Sequence, residues 1–391
     1  MKTILRISFV VVLLCLFALP VQAQLEKHEA LASKLVNQCA NIQENDNVII
    51  TGSIRDADLM GEIGLQIRKV GAFPLVALGN QLAARRSYDV VPEKYDSQKN
   101  EFTEKLINIV DAQITISTTE SLGLFKDVPV ERMQKRAEAG KDNTELMQKR
   151  NIRFVSLGNN LYPTDALAKQ FGITKKELAN EFWNGVNTDY NKLNQVGKSL
   201  KTVLDGGKKL HITSKMGTDI KMAIKSRPVI VSDGMISDKE AEAGFPACLV
   251  WLPAGEVLLS PVPGTANGKI VVNNFFYQGE TIEKLTLEFE SGKLISMTAK
   301  SNLDLYKEAY DKADEGKEEF SFVDIGINPD VKIIPGSKMV AWMVSGFVTV
   351  GHGSNTWAGG DNKSTYGSAY YLSNATVKVD GKTIVKNGIL K

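Results

Sequence analysis

The residues with most chemical promise stand in Trp251-Leu252-Pro253-Ala254-Gly255-Glu256-Val257, followed by Leu258-Leu259-Ser260-Pro261. A single carboxylate, Glu256, is set between Pro-Ala-Gly and a run of apolar β-formers. Pro253 stiffens the approach, and Gly255 lets backbone come close to whatever Glu256 faces. Alone, the stretch reads as a turn with an exposed Glu leading into an edge strand. It becomes a metal-ligand candidate only if partners converge on it, because hydrolytic metals need several hard or imidazole ligands at one spot. Histidine is scarce: His28, His211 and His352 are the only three in the chain. There is no Cys-x-x-Cys and no His-Glu-x-x-His. Gly351-His352-Gly353-Ser354 brings a His near a Ser, but two residues apart on a turn is not a triad geometry, and no nucleophile elbow is present. Gly52-Ser53 could offer free N–H groups to an anion. The glycine pattern of a dinucleotide site is missing there, and a plain strand-to-helix turn accounts for it.

The elements that must position these residues follow from periodicity. Residues 25–43 read as a helix, with apolar positions at Leu31, Leu35, Val36 and Cys39. Val48 to Thr51, Phe73 to Leu78, Ala112 to Ser117 and Arg153 to Leu157 read as strands. A helix ending at Val70-Gly71 and a charged helix over 131–150 lie between them. Strands alternating with helices predict a parallel sheet. Thr174-x-x-Glu177 is a capping box for a helix expected to run from Thr174 to Leu204. Beyond Gly206-Gly207 the pattern turns to short strands: 209–213, 219–224, 229–232, 268–276, 281–289, 293–299, 320–327 and 339–350. Asn267-Gly268 and Ser291-Gly292 are expected as hairpin turns, and Asp380-Gly381 closes a last hairpin. The expected fold class is an α/β N-terminal domain with a flavodoxin-like parallel sheet, followed by a β-rich α+β domain. The boundaries are 24–205 and 206–391.

Net charge is +2, from 47 basic and 45 acidic residues, so nothing calls for a nucleic acid or a membrane surface as partner. Lys2 and Arg6, the apolar run from Ile7 to Leu19, and small residues in Val21-Gln22-Ala23 predict a signal peptide over residues 1–23, cleaved after Ala23. The apolar run is short for a membrane span. The mature protein is therefore expected to be exported, periplasmic or secreted. Cleavage removes Cys15. Cys39 and Cys248 then remain, and each lies in an apolar pattern that suits a buried free thiol.

A series of landmarks runs through the chain: Tyr162-Pro163-Thr164-Asp165-Ala166, Asp189-Tyr190, Gly217-Thr218-Asp219, Pro253-Ala254-Gly255-Glu256-Val257, Glu290-Ser291-Gly292-Lys293, Gly326-Ile327-Asn328-Pro329, Gly359-Gly360 and Asp380-Gly381. In this order and spacing the chain resembles the metallo-aminopeptidases of the aminopeptidase T and aminopeptidase S type, in the leucyl aminopeptidase-like branch. The match runs from about Leu25 to Gly388. The resemblance implies a homodimer whose second domain holds two divalent metals (zinc, cobalt or manganese) and removes N-terminal residues from peptides.

Carried over residue by residue, the resemblance keeps one ligand position, Glu256. The next family glutamate falls on Phe322, with Asp324 two residues on and on the same strand face. The Asp-Glu-Lys stretch falls on Ala341-Trp342-Met343, a liganding His on Thr349, and the final His and Asp on Gly367 and Ala369. Phe, Trp, Thr, Gly and Ala cannot replace carboxylate or imidazole. The expectation is an aminopeptidase-family protein without the two-metal site and without bound metal. It would be catalytically inactive, or would bind a peptide, an amino acid or another small ligand in a pocket lined by Phe322, Trp342, Trp357 and Tyr366. The alternative is a divergent metal-dependent aminopeptidase using Glu256, Asp324 and His352, with Asp361 nearby and Glu256 as its catalytic residue.

Overall fold

The computed structural model describes residues 27–391, and the expected signal peptide lies outside them. A helix over 27–39 (α1) comes first, and its last turn, Leu35–Cys39, is π-helical. There follow β1 (Asn47–Ser53), α2 (Ala57–Lys69), β2 (Phe73–Gly79), α3 (Gln81–Val90), α4 (Glu101–Ile107), β3 (Ala112–Ile116), α5 (Val130–Lys149) and β4 (Arg153–Leu157). Every pairing among these strands is parallel. Alternating Val48 and Ile50 on β1 bury one face, and α2 covers the sheet with Leu59, Met60, Ile63 and Ile67, spaced for one helical stripe.

Three helices then lead out of the sheet: α6 (Asp165–Phe171), α7 (Lys175–Val186) and α8 (Tyr190–Asp205). The single helix expected from Thr174 to Leu204 is thus two. The Asp189 side chain accepts from the N–H groups of Asn191 and Lys192, which starts a new helix where the old one ends. The capping box at Thr174 and Glu177 is formed.

The second half begins with β5 (Lys209–Thr213), β6 (Asp219–Ala223), β7 (Val229–Ser232), α9 (Asp238–Ala243), β8 (Leu249–Leu252) and β9 (Glu256–Leu259). It continues with β10 (Asn267–Tyr277), β11 (Glu280–Glu290), β12 (Lys293–Thr298), α10 (Asp304–Asp311), β13 (Phe320–Gly326) and β14 (Val348–Gly353). Last come β15 (Gly367–Leu372), β16 (Thr376–Val379), β17 (Lys382–Lys386) and β18 (Ile389–Leu390). They build an eight-stranded antiparallel sheet, β12-β11-β10-β6-β5-β16-β17-β18, and a five-stranded one, β15-β14-β13-β9-β7. One strand leaves this half: β8 pairs in parallel with β4 and completes the first sheet in the order β2-β1-β3-β4-β8. That is the flavodoxin-like order expected from the strand–helix alternation. Cys39 and Cys248 are buried free thiols.

Two local readings differ from the structure. Asn267-Gly268 is no hairpin turn but the start of β10, where a Cβ on Gly268 would come within 2.1 Å of the Asp219 carbonyl oxygen. Glycine is there for close strand approach. The strand expected over 339–350 begins only at Val348. Before it, the Asn328 N–H donates to the Met343 carbonyl (2.8 Å) and the Gly346 N–H to the Gly326 carbonyl (2.8 Å), folding 339–347 across the end of β13.

Only Pro253, Ala254 and Gly255 separate β8 in the first sheet from β9 in the third. The chain changes sheet here through bonds on both sides. The Gly255 N–H donates to Ser232 (3.0 Å), the Ile327 N–H to the Gly255 carbonyl (2.7 Å), and Asn328 Nδ2 to the Ala254 carbonyl (2.6 Å). Gly255 has φ +123°, and a Cβ there would lie 2.7 Å from the Asn328 Cβ and 2.9 Å from its backbone nitrogen. Gly255→Ala therefore combines backbone strain with overpacking and is expected to cost about 2–4 kcal/mol. Urea unfolding of wild type and variant checks this. A loss below about 1 kcal/mol would show that the crossover has slack.

Candidate functional site

Glu256 is not in an edge strand. Strand β9 lies between β13 and β7, all four of its residues are buried, and Glu256 is only 3% exposed. The register of this sheet assembles the site. Ser232 lies opposite Glu256, Asp324 opposite Leu258 on one side and Thr349 on the other, and Thr349 opposite Tyr371. Because alternate residues share a face, Ser232, Glu256, Asp324, Thr349 and Tyr371 form one polar stripe across the sheet. One step along, Ile230, Leu258, Phe322 and Ala369 make an apolar band, covered by Trp342 and Trp357 from outside the sheet and by Ala358.

The aromatic rings are in contact. Phe322 and Trp342 stack with centroids 5.5 Å apart. Trp357 stands edge-on to Phe322 at 4.7 Å and to Trp251 at 5.8 Å, and Tyr371 edge-on to Trp342 at 5.6 Å. Three of the chain's four tryptophans meet here. Among the positions singled out in the sequence, Glu256, Phe322, Asp324, Trp342, Thr349 and Ala369 thus share one neighbourhood. Gly367 lies at the exposed start of β15, paired with Gly353.

His352 does not join them. It lies three residues from Thr349 on β14 and turns to the other face, where it is fully buried. Its Nδ1 lies 2.5 Å from the Lys317 carbonyl and its Nε2 2.6 Å from the Tyr370 hydroxyl. A carbonyl only accepts, so the Nδ1–H tautomer is assigned and Nε2 accepts from Tyr370. Both nitrogens are used. Tyr306 extends the network to Ser368 at 2.8 Å. Burial pushes the His352 pKa down to about 4. Asp361 is exposed on the surface. The grouping of Glu256 and Asp324 with His352 and Asp361 is therefore not present in this fold. Tyr366 likewise packs against His352, at 5.5 Å, rather than in the aromatic band.

The stripe is short of partners. Glu256 Oε1 accepts from Asn159 Nδ2 at 2.7 Å. Both oxygens of Asp324, Ser232 Oγ, Thr349 Oγ1 and Trp342 Nε1 are buried without a hydrogen bond. Neither carboxyl has an Arg or Lys against it among the described residues. The contrast is Asp96, equally enclosed but held by Arg132 Nε at 2.5 Å and Arg136 Nε at 2.6 Å. Desolvation pushes both stripe carboxyls well above the ordinary carboxylate range, and the charge of Glu256 raises Asp324 further.

A metal pair does not fit this donor set. The face offers two carboxyls and the hydroxyls of Ser232, Thr349 and Tyr371 but no imidazole, and Phe322 and Trp342 stack at two positions where the resemblance implies ligands. Among the described residues no three His, Cys, Asp or Glu side chains converge as a metal group. Four residues at or beside the stripe had little local signal in the sequence. Asn159 and Asn160 follow β4, at the C-terminal end of a parallel strand, a position where α/β sheets commonly place ligands. Ser232 and Tyr371 are set by register alone.

These shifts act on stability in opposite directions. His352, depressed from 6.5 to about 4, contributes stability that is present above pH 6.5 and lost as pH falls through 4, worth at most about 3 kcal/mol. Glu256, raised, contributes in the opposite sense: its neutral form is favoured in the fold, and stability is lost as pH rises above 4.5. Glu256→Gln keeps an acceptor for Asn159 and removes the second slope. Denaturant midpoints at pH 5, 6.5 and 8 should show the variant gaining on wild type as pH rises. A pH-independent difference would mean that Glu256 does not titrate in this range in the folded protein.

Comparison with known proteins places this geometry. The model of the family described as thermophilic metalloprotease (M29) matches residues 24–329. Wild-type AmpT from Thermus thermophilus superimposes with a TM-score of 0.70 at 15% identity, covering 93% of this chain and 99% of that one. 2,5-Dihydroxypyridine dioxygenase from Pseudomonas putida KT2440 superimposes with a TM-score of 0.58 at 15% identity, covering 94% and 97%. No curated protein matches by sequence. The solved structures share the fold, and the family match spans most of the chain: this protein belongs to the M29 metalloprotease family.

Proposed function

We propose that this protein is an exported member of its family in which the aminopeptidase metal centre has been replaced by aromatic packing, so that it binds a peptide or small ligand instead of hydrolysing one. The observation that carries this reading is the stacking of Phe322 on Trp342 over the stripe that holds Glu256 and Asp324. Metal hydrolysis needs ligands there, and rings exclude them. Export rests on the leader pattern over residues 1–23, and Gln24 would be the mature N-terminus. The division at 205/206 would separate an α/β unit with its linking helices from the β-rich unit carrying this site.

A second reading has one observation in its favour. Glu256 and Asp324, on neighbouring strands, share a sheet face and could serve a single hard cation in a rearranged aminopeptidase. Elemental analysis of purified protein, with and without zinc, cobalt or manganese, separates the two. We expect substoichiometric metal and no release of amine from amino-acyl amides, with saturable peptide binding and no turnover. Tight stoichiometric metal together with hydrolysis would overturn the proposal.

The protein is also proposed to be a homodimer. Edge strand β2 exposes Phe73, Leu75, Val76 and Leu78, each at least 45% exposed, and the adjoining α3 buries no residue. An edge strand can pair antiparallel with its own copy about a two-fold axis, which is a closed, isologous contact. Light scattering should give twice the chain mass, and Leu75→Lys should reduce it to a monomer with an unchanged thermal midpoint at low concentration. A monomeric wild type would exclude this contact.

A further inference from the structure

Strand β10 has a strand on both sides only at its start. It pairs with β6 at Asn267, Gly268 and Lys269, while β11 flanks it on the other side from Gly268 to Tyr277. Thr218 Oγ1 covers a further position, accepting from the Val271 N–H (3.0 Å) and donating to the Val271 carbonyl (3.3 Å). Past Val271, among the described residues, no hydrogen bond reaches the main chain of 272–277 from any element but β11. About 20 Å of strand edge is thus left open on the β6 side. Proteins usually blunt such an edge with charge or proline, and Ile270 to Tyr277 contains neither. Two cavities lie along it. One of about 510 Å³ is lined by Val271, Asn273 and Asn274, and one of about 270 Å³ by Phe275, Phe276 and Gln278. Val340 and Tyr371 line both, so the two are neighbours in one groove that follows the strand. The larger cavity has apolar walls at Val331, Ile333 and Phe347, and Lys332 and Lys338 are its only charged residues. No Asp or Glu lines either cavity. Both lysines are exposed, and among the described residues neither ammonium is paired with a carboxylate. Glu283 lies in the field of Lys338 but is bound to Lys300 at 2.8 Å, and Glu181 accepts from the main-chain N–H of Lys332.

We propose that an extended peptide bearing a carboxylate docks in this groove as an added strand on the open edge of β10, beside residues 272–277, with the carboxylate at Lys332 and Lys338. This rests on the reading of the protein as a peptide-binding family member and names where and how the peptide lies. Main-chain bonds to the open edge supply affinity with little regard to sequence, and alternate side chains of the peptide enter the two cavities. The two lysines, with no acid beside them in the groove, select an acidic peptide over a basic one. Glu256 and Asp324 take no part. No covalent step is involved.

The test uses the mature protein at pH 7.5 and the peptide Thr-Val-Ser-Val-Thr-Glu, labelled with fluorescein at its N-terminus and read by anisotropy. Two further versions carry backbone N-methyl groups on the odd or on the even residues. In strand addition one alternate set of N–H groups faces the protein and the other faces away. One methylated peptide should therefore bind at least tenfold more weakly than the parent, and the other within about threefold of it. A version with Lys for Glu and an amidated C-terminus should also lose at least tenfold. Replacing Glu by Gln alone, or amidating the C-terminus alone, shows which carboxylate the lysines hold. The double variant Lys332→Glu with Lys338→Glu changes only exposed side chains. It should keep the wild-type thermal midpoint and weaken the parent peptide at least tenfold. Equal effects of the two methylation patterns, equal binding of the acidic and basic peptides, full binding by the double variant, or no binding of the parent would overturn the proposal. Failure here is distinguishable from failure of the broader reading. A protein that binds both methylated peptides alike without turnover remains a peptide-binding protein with another mode of recognition. Stoichiometric zinc, cobalt or manganese with hydrolysis of amino-acyl amides refutes the broader reading, whatever the methylated peptides do.

Discussion

Gly255 and Asn328 pack with no room for a methyl group between them, and much of this molecule's centre depends on that contact. It lets the chain leave the parallel sheet at Leu252 and enter the middle of an antiparallel sheet at Glu256, with three residues for the turn. Main-chain bonds to Ser232 and Ile327 and the Asn328 amide fix the crossover from both sides. A side chain placed immediately after such a turn has little freedom. Glu256 is delivered to the buried face of β9 because backbone closure and strand parity leave it nowhere else.

The same fold is shared with proteins of different names. The scaffold superimposes on AmpT over nearly the full length of both chains, and on a protein named as a dioxygenase almost as completely. Architecture alone therefore does not select a reaction, which has to be read from side chains. Here the side chains divide into an acidic stripe with few donors and an aromatic band that excludes water. Phe322 and Trp342 contribute packing where the family resemblance implies ligation. The cost of burying two acids is carried by the rest of the fold, which retains extensive apolar cores around all three sheets.

Much of this was legible in the sequence where the signal is local. Strands such as Lys209–Thr213 and Val229–Ser232, the capping box at Thr174 and the Asp380-Gly381 turn follow from short-range preferences. The helix break at Asn187–Asp189 was harder, because an N-cap Asp inside an otherwise continuous apolar stripe leaves the period nearly intact. The apolar residues on either side of Pro253-Ala254-Gly255 do not reveal that they belong to different sheets, since each half alone resembles any buried strand. The candidate site followed the same rule. Glu256 and Asp324 could be placed on one face from parity and resemblance. Asn159, Ser232 and Tyr371 arrive from three separate elements and carry no pattern that names them. His352 was drawn toward Glu256 by proximity in sequence to Thr349, but an odd spacing on a strand sends it to the opposite side, into a tyrosine network that consumes both nitrogens.

The return of Leu249–Leu252 to the first sheet ties the order of synthesis to the order of assembly. Four parallel strands emerge early, yet the outer edge of Arg153–Leu157 has no neighbour until nearly one hundred further residues have been made. During that interval the nascent sheet carries an open hydrogen-bonding edge beside buried-type residues such as Val155 and Leu157. The strand that closes it carries Trp251 and Leu252, and three residues later Glu256 stands in the third sheet. The last strand of one sheet and the site residue of another are thus joined in the native chain through a three-residue link.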